Sequence, residues 1–141
     1  MSTTLQKIAV AIDFSEQSLK AFERAVSEAK EQGTTLTLVN VVDTMSFGSV
    51  TAYDLKYAEK LKEENIEKME KLKIQAEAAG VQSAEVVVEM GSPKVILTQL
   101  PGVGLLVCGA TGLNHIEKMV IGSVAERIVR LAKCDVLIVR L

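Results

Sequence analysis

The sequence of 141 residues lacks the features of several protein classes. Aromatic residues make up only 4%, there is no tryptophan, and 16 lysines and arginines are outnumbered by 18 aspartates and glutamates. The net charge of −2 argues against a nucleic-acid-binding domain, because such domains carry a basic patch. No apolar run approaches the roughly eighteen residues that span a bilayer, and Met1–Lys7 shows no signal-peptide pattern. We therefore expect a single cytoplasmic domain over residues 1–141 that binds neither nucleic acid nor membrane.

Residues for catalysis or metal binding are also scarce. His115 is the only histidine, and no Ser/His/Asp set, metal-spaced Cys/His cluster or catalytic carboxylate pair is apparent. No Walker pattern occurs, so there is no P-loop lysine to stabilise a leaving phosphate. Gly102-Val-Gly104 lacks the third glycine of a dinucleotide fingerprint and precedes a strand, so we interpret it as a turn. The sequence therefore predicts a protein that is not an enzyme.

Apolar runs alternate with amphipathic stretches along the chain, which is typical of a parallel sheet covered by helices. The predicted strands are Ile8–Ile12, Thr35–Val42, Ala84–Met90, Gly104–Cys108 and Cys134–Val139. The predicted helices are Glu16 to about Gln32, about Ala52 to Ala79, a short one from Pro93 to Leu100, and Val124 to Ala132. Right-handed crossovers make 3-2-1-4-5 the simplest strand order. The expected fold class is α/β, with an open parallel five-stranded sheet and helices on both faces, similar to the Rossmann fold.

Three local details follow from this scheme. Ser15 or Asp13 is expected to cap the first helix, and Gly33 to end it. Cys108 and Cys134 are expected to be reduced core residues at opposite edges of the sheet, beyond disulfide reach. The long second helix has a predicted apolar seam formed by Leu55, Ala58, Leu61, Asn65, Met69, Leu72 and Ala76.

Two segments that are distant in sequence should meet at one crevice. The strand order reverses between the first and fourth strands, and ligands bind outside the carboxyl ends of strands at such a reversal. Asp13 follows the first strand and Gly109 follows the fourth. Asp13 could accept a hydrogen bond from ribose or adenine or contact a metal through water, or it could simply cap the next helix.

A glycine pattern follows the fourth strand. It reads Gly109-Ala-Thr-Gly112, nine residues, then Gly122-Ser123 at the start of a predicted helix. A helix start exposes unpaired N–H groups, and glycine permits close approach to the backbone, so the pattern predicts a phosphate site. Gly112 would admit the α- and β-phosphates, and the N–H groups and hydroxyl near Gly122, Ser123 and Val124 would receive the outer phosphates. The alternative is that the glycines serve only a tight turn and a helix cap.

The pattern Gly109-x-x-Gly112-(nine)-Gly122-Ser123 resembles the ATP-binding signature of the universal stress protein family. Ile8–Ser15, Gly122–Arg130 and Cys134–Arg140 are also similar to that family, so the resemblance covers nearly the whole chain. The resemblance implies an adenine nucleotide held by Ile12, Asp13, Phe14, Ser15, Val41, Gly109, Ala110, Thr111, Gly112, Gly122, Ser123 and Val124. It also implies a homodimer formed through the last strand, Val136–Val139, which would otherwise be a bare apolar edge.

Three functional hypotheses follow from these patterns. The favoured one is a homodimeric regulatory module that binds ATP with Mg²⁺, with ATP ordering the loops Thr44–Thr51 and Leu113–Ile121 and changing the surface offered to a partner. The second is a slow ATPase or phosphotransferase that uses Asp13 with bound metal. The third is a dimeric interaction protein that needs no nucleotide. His115 and Lys118 could touch phosphate, but an exposed loop position is the favoured explanation of each residue.

Overall fold

A computed structural model of the chain describes residues 7–45, 52–111 and 121–140. The strands are β1 (Lys7–Ala11), β2 (Leu36–Asp43), β3 (Ala84–Gly91), β4 (Val103–Gly109) and β5 (Asp135–Val139). The helices are α1 (Glu16–Gln32), α2 (Ala52–Ala78), α3 (Pro93–Ile96), which continues as a 3₁₀ turn over Leu97–Gln99, and α4 (Ser123–Leu131). The predicted strands and helices are therefore confirmed, and each end lies within one residue of its predicted position when the 3₁₀ turn is counted with α3.

The five strands form one parallel sheet in the order β3-β2-β1-β4-β5, which confirms the predicted topology. In the centre of the sheet, Val10 of β1 pairs with Leu38 of β2 on one side and with Val107 of β4 on the other. The order reverses beside β1, because β2 follows it in sequence on one side and β4 lies on the other. This reversal creates the crevice at the carboxyl ends of β1 and β4.

Helices cover both faces of the sheet, so the strands are apolar on both sides. One face packs against α1 and α2, and its buried residues include Ile8, Val10, Leu36, Leu38, Phe22 and Met69. The other packs against α3 and α4, and its buried residues include Ala9, Val39, Leu106, Cys108, Ala125 and Ile128. Alternate residues of each strand thus enter separate cores. In the described ranges, no helix combines the length and the apolar character that crossing a membrane requires.

The structure decides which of the two residues predicted to cap α1, Ser15 or Asp13, is the N-cap. Ser15 is the N-cap, and its hydroxyl accepts a hydrogen bond from the Ser18 amide at 3.2 Å. Asp13 instead accepts from the Ser15 amide at 2.9 Å and so shapes the turn before the helix. Gly33 ends the helix with a φ of 64°, in the left-handed conformation that glycine adopts without strain.

The predicted seam of α2 is correct except at its start. Ala58, Asn65, Met69 and Ala76 are buried, and Leu61 and Leu72 are half-buried. Leu55 was placed wrongly in the seam, since 44% of it is exposed. The 27-residue helix is about 40 Å long, whereas the eight-residue strand β2 covers about 26 Å. Because α2 is longer than the strand, the sheet cannot cover it along its whole length, and the exposure of Leu55 is consistent with uncovered first turns.

The two cysteines are free, as predicted, but they differ in burial. Cys108 at the end of β4 is buried, whereas Cys134 just before β5 packs against the second core while partly exposed, so only Cys108 is a full core residue. Burial raises the pKa of the Cys108 thiol to about 12. Burial and the neighbouring Asp135 carboxylate also raise the pKa of Cys134, although a hydrogen bond from the Leu106 backbone opposes them.

Iodoacetamide is expected to modify Cys134 first and Cys108 only when the protein unfolds. The thiolate is the reactive form, and at about pH 8 a thiol with a pKa of about 12 has on the order of 1,000-fold less thiolate than an ordinary one. Intact-mass spectrometry over time should show one adduct in native buffer and two in denaturant. Equal rates for the two thiols in native buffer would contradict this burial pattern.

Thr37→Val is expected to stabilise the fold by about 1 kcal/mol, because burying an unpaired hydroxyl costs roughly 1–3 kcal/mol. Thr37 is 8% exposed, and within the described ranges its hydroxyl oxygen has no hydrogen-bond partner. Thr98→Val is the matched control, since the Thr98 hydroxyl donates to carbonyls of Lys94 and Val95 and should yield no gain. Urea unfolding measures both changes, and a less stable Thr37→Val variant would show that the hydroxyl is paired.

Candidate functional site

The turn after β1 carries Asp13 in a constrained backbone. The Asp13 amide donates to the Ser18 hydroxyl at 3.3 Å, and its carboxylate Oδ1 accepts from the Ser15 amide. Phe14 has a φ of 66°, which is unusual and strained for a residue with a side chain. Among the described residues, nothing bonds to the second carboxylate oxygen of Asp13, so this oxygen can accept from a ligand.

The aromatic ring of Phe14 anchors this turn. It packs against the core under α1 and α2, and the Lys68 ammonium of α2 lies 5.0 Å from the ring centroid. A cation over a ring face is attracted by the ring electrons, at about 0.5–1 kcal/mol when exposed. Two contacts of Phe14 therefore hold the turn with Asp13: its packing against the core and its contact with Lys68 of α2.

The segment after β4 is joined to α1 by Gln17. The Gln17 side-chain carbonyl accepts from the Thr111 amide at 2.9 Å. Gly109 lies against the same residue, since a Cβ there would be 2.9 Å from Gln17 Cβ and 3.0 Å from its carbonyl carbon. The structure thus brings the Asp13 and Gly109 segments together through the first turn of α1. Nothing in the sequence singled out Gln17, because its partner lies 94 residues away.

Gly109 and Gly122 are needed for close packing and not for a special backbone angle. Gly122 has a φ of −78°, and neither glycine is among the described residues with positive φ. A Cβ on Gly122 would lie 3.3 Å from Thr111 Cα and 3.4 Å from the Ala110 carbonyl oxygen. Close packing against Gln17 therefore accounts for Gly109. Gly122 is the N-cap of α4, as the alternative of a helix cap expects, and it allows α4 to start directly against the segment after β4.

The N-terminus of α4 leaves backbone donors without a side-chain cap. Gly122 is the N-cap and has no side chain, whereas Ser15 caps α1. The Gly122 amide itself donates to the Ala110 carbonyl at 2.6 Å. The prediction that this amide is available to phosphate is therefore wrong, because the turn uses it internally. The amides of Ser123 and Val124 belong to the first turn of α4, where helices leave such donors unpaired.

Thr111 adds a second unpaired group at this place. It is 8% exposed, and its hydroxyl oxygen has no hydrogen-bond partner within the part of the chain that the structure describes. A buried hydroxyl without a partner is costly in a native protein and calls for an explanation, such as a water or ligand. Its place, between the Gln17 contact and the Gly122 contact, puts it inside the predicted phosphate segment.

The remaining predicted residues are distributed as follows. Ile12 is buried on the face of the sheet that α1 and α2 cover, and Val41 is half-buried on the opposite face. Because Ala11 pairs with Val39, Val41 lies beside Asp13 along the strand direction. Gly112, His115 and Lys118 lie outside the described residues, as does most of the loops Thr44–Thr51 and Leu113–Ile121. In the described ranges, no three His, Cys, Asp or Glu residues are grouped to hold a metal ion.

The chain is similar to a known protein family and to solved structures. A family model described as the universal stress protein family matches residues 4–140. A putative universal stress protein of Staphylococcus haemolyticus is 40% identical, covering 97% of this chain and 86% of that protein. The solved hypothetical protein MJ0577 is 25% identical with a TM-score of 0.86, covering 96% of each chain. A universal stress protein solved in complex with cAMP is 28% identical with a TM-score of 0.65, covering 98% of each chain.

Proposed function

The chain belongs to the universal stress protein family, and from that premise we propose that it binds ATP as a homodimeric regulatory module. The nucleotide occupies the crevice between the Asp13 turn and the N-terminus of α4. The proposed contact residues are those that the resemblance to the family implies: Ile12, Asp13, Phe14, Ser15, Val41, Gly109, Ala110, Thr111, Gly112, Gly122, Ser123 and Val124.

The observation that carries this proposal is that α4 starts beside the strand-order reversal and that no side chain caps its first amides. The aligned peptide dipoles of a helix place partial positive charge at its N-terminus, where unpaired amides can donate to phosphate oxygens. Ser123 and Val124 supply such amides, and the Ser123 hydroxyl can donate as well. Gly122 acts by allowing the close packing that brings these donors to the crevice, and not through its own amide.

Two further observations support an adenine nucleotide. Thr111 has an unpaired hydroxyl in the same segment, and Asp13 has an unpaired carboxylate oxygen on the facing turn, both among the described residues. A carboxylate at this edge suits a ribose hydroxyl or an adenine amino group. The related protein solved with cAMP also binds an adenine nucleotide. These groups fit a nucleoside at the β1 end and phosphates at the β4 end.

Mg²⁺ would enter with the phosphates and would not require a protein cage. Mg²⁺ in nucleotide sites is held mainly by phosphate oxygens and water, with one or two carboxylates. Asp13 is the carboxylate at this crevice that could contribute, directly or through water. The lack of a larger acidic group in the described ranges is consistent with that arrangement. When bound, the ion would neutralise phosphate charge.

The two edges of the sheet support dimerisation through β5. On β5, four half-buried apolar residues follow Asp135. On the opposite edge, β3 carries the exposed carboxylates of Glu85 and Glu89, and Glu85 pairs with Lys7 at 3.4 Å. Charged residues discourage edge-to-edge pairing, whereas an apolar edge favours it. We therefore propose that Val136–Val139 pairs with the same strand of a second chain.

The mass of any small molecule that leaves the purified protein on denaturation tests the ligand directly. The proposal expects an adenine nucleotide in stoichiometric or substoichiometric amount, whereas a different class of molecule would contradict it.

Phosphate release under single-turnover conditions tests the proposed lack of enzymatic activity. Release at the rate of free ATP hydrolysis is expected, and clear acceleration that Asp13→Asn abolishes would instead favour a slow ATPase.

A further inference from the structure

A buried pair of side-chain amides connects α2 and β2 to the turn that carries Asp13. Asn65 of α2 donates from Nδ2 to Asn40 Oδ1 at 3.0 Å, and Asn40 of β2 donates from Nδ2 to the Ile12 carbonyl at 2.8 Å. Asn40 and Asn65 are 3% and 6% exposed. Ile12 directly precedes Asp13, so this chain of contacts ends on the backbone of the proposed site.

Packing does not explain these two residues. Alternation along β2 puts Asn40 in the same row as Leu36 and Leu38, which are fully buried against α1 and α2. Asn65 lies in the buried seam of α2, one turn before Met69. Burying an amide is costly unless its hydrogen bonds are made, and two apolar residues would fill this space without that requirement. The pair therefore calls for a role that apolar side chains could not perform.

The contact fixes the direction in which the chain leaves β1. The Ile12 amide donates to the Val39 carbonyl at 2.8 Å, so β2 holds the amide through its backbone and the carbonyl through Asn40. The next two residues are Asp13 and Phe14, and Phe14 adopts its strained left-handed φ of 66°. Such a conformation persists only where the surroundings hold it. Fixing both backbone groups of Ile12 supplies that restraint on one side of the turn, and the Ser15 and Ser18 contacts supply it on the other.

We propose that Asn40 and Asn65 are positioning residues for the nucleotide site. Asn65 orients the Asn40 amide, and Asn40 holds the Ile12 carbonyl so that the Asp13 carboxylate is kept in the orientation that receives the nucleoside. This inference rests on the nucleotide-binding function proposed above. The same contacts connect α2 to that orientation through Asn65, in addition to the contact of Lys68 with the Phe14 ring.

Two variants interrupt the chain at different points. Asn40→Asp keeps the size of the side chain and its acceptor for Asn65, but in its ionised form it has no proton to donate to the Ile12 carbonyl. Asn65→Leu removes the amide that donates to Asn40 Oδ1. It is the milder change, because Asn40 keeps its own donor for the Ile12 carbonyl. Val81→Ala is the matched control, because Val81 is 3% exposed in the same core but precedes β3, at the amino ends of the strands and away from the crevice. All three substitutions alter buried side chains and are expected to destabilise the fold, so measurements are made well below each melting temperature.

Hydrogen exchange followed by NMR tests the positioning without any nucleotide. The amides of Asp13 and Ser15 report on the turn, since both donate to side chains within it. After normalising to Val107 in β4, Asn40→Asp and Asn65→Leu should exchange these amides at least about tenfold faster than wild type. Val81→Ala should leave the normalised rates unchanged. Unchanged turn rates in both asparagine variants would overturn the proposal.

Calorimetric titration with ATP tests the consequence for binding. Both asparagine variants should raise the Kd by about tenfold or more, and the double variant should match Asn40→Asp alone, since Asn65 acts only through Asn40. Val81→Ala should bind as wild type does. Faster turn exchange with unchanged ATP affinity would overturn the link to the nucleotide. If wild type bound no ATP, the proposed function would fail, and the exchange result would still decide whether the amides hold the turn.

Discussion

Replacing Gly122 with valine is expected to weaken ATP binding by about 100-fold or more while the protein remains folded. A Cβ at Gly122 meets Thr111 Cα at 3.3 Å and the Ala110 carbonyl oxygen at 3.4 Å, and the valine methyl groups need still more space. The start of α4 must therefore move away from the segment after β4. Hydrogen bonds to charged groups contribute roughly 1.5–3 kcal/mol each, and about 1.4 kcal/mol is tenfold in Kd, so losing two amide–phosphate bonds gives the stated change.

The fold should tolerate this substitution because Gly122 has an ordinary φ of −78° and lies outside the sheet. Gly122→Ala needs a shift of only a few tenths of an ångström, so it should give an intermediate loss of affinity. Gly33→Ala serves as the control for stability. Its φ of 64° makes alanine strained, by roughly 1 kcal/mol, at a helix end far from the crevice. That control should bind ATP normally, and a Gly122→Val variant with native affinity would refute the phosphate assignment.

Ile138→Pro is expected to convert a dimer into a folded monomer. The Val139 carbonyl accepts from the Ala110 amide, so the backbone groups of Val139 and, by alternation, of Leu137 point towards β4. The amide of Ile138 therefore points to the open edge of the sheet. Proline removes this donor without removing a bond to β4, and proline is tolerated on edge strands for that reason. The strand of a second chain would therefore lose the Ile138 amide as a hydrogen-bond donor at the centre of the proposed interface.

Val88→Pro provides a matched control on the opposite edge. The Gly91 carbonyl of β3 accepts from the Thr44 amide, so alternation turns the Val88 amide away from β2 and towards open solvent. Light scattering after size exclusion should give a dimeric mass for wild type and Val88→Pro, and a monomeric mass for Ile138→Pro. Loss of the dimer in Val88→Pro alone would place the interface on β3. A wild-type monomer would reject dimerisation altogether.

The sequence was sufficient to predict the fold because its signals are local and mutually consistent. Continuous apolar runs identified strands buried on both faces, and residues such as Ser15 and Gly33 marked helix ends through their backbone preferences. Leu55 was misplaced because helical periodicity shows which side of a helix is apolar but not how far the sheet beneath it extends. That distance depends on where α2 docks, which is a long-range property.

The candidate site was only partly predictable. Asp13 and Gly109 were expected to converge because strand order fixes where strand ends meet, and the Gln17 contact brings their segments together. The role of each glycine could not be read from the sequence, since Gly109 and Gly122 are explained by atoms of distant residues. Asn40 did leave a signal, a single amide in an apolar strand, but the meaning of that signal depends on its contact with Asn65.

Calorimetric titration of the wild-type protein with ATP and with adenosine tests the central claim most directly. If the amides at the start of α4 hold phosphate, ATP should bind at one site per chain, and adenosine should bind at least about 100-fold more weakly, since it lacks the charged groups those amides receive. ATP should also raise the melting temperature by mass action. Equal affinity for the two ligands, or neither heat nor a thermal shift at millimolar ATP, would contradict the account.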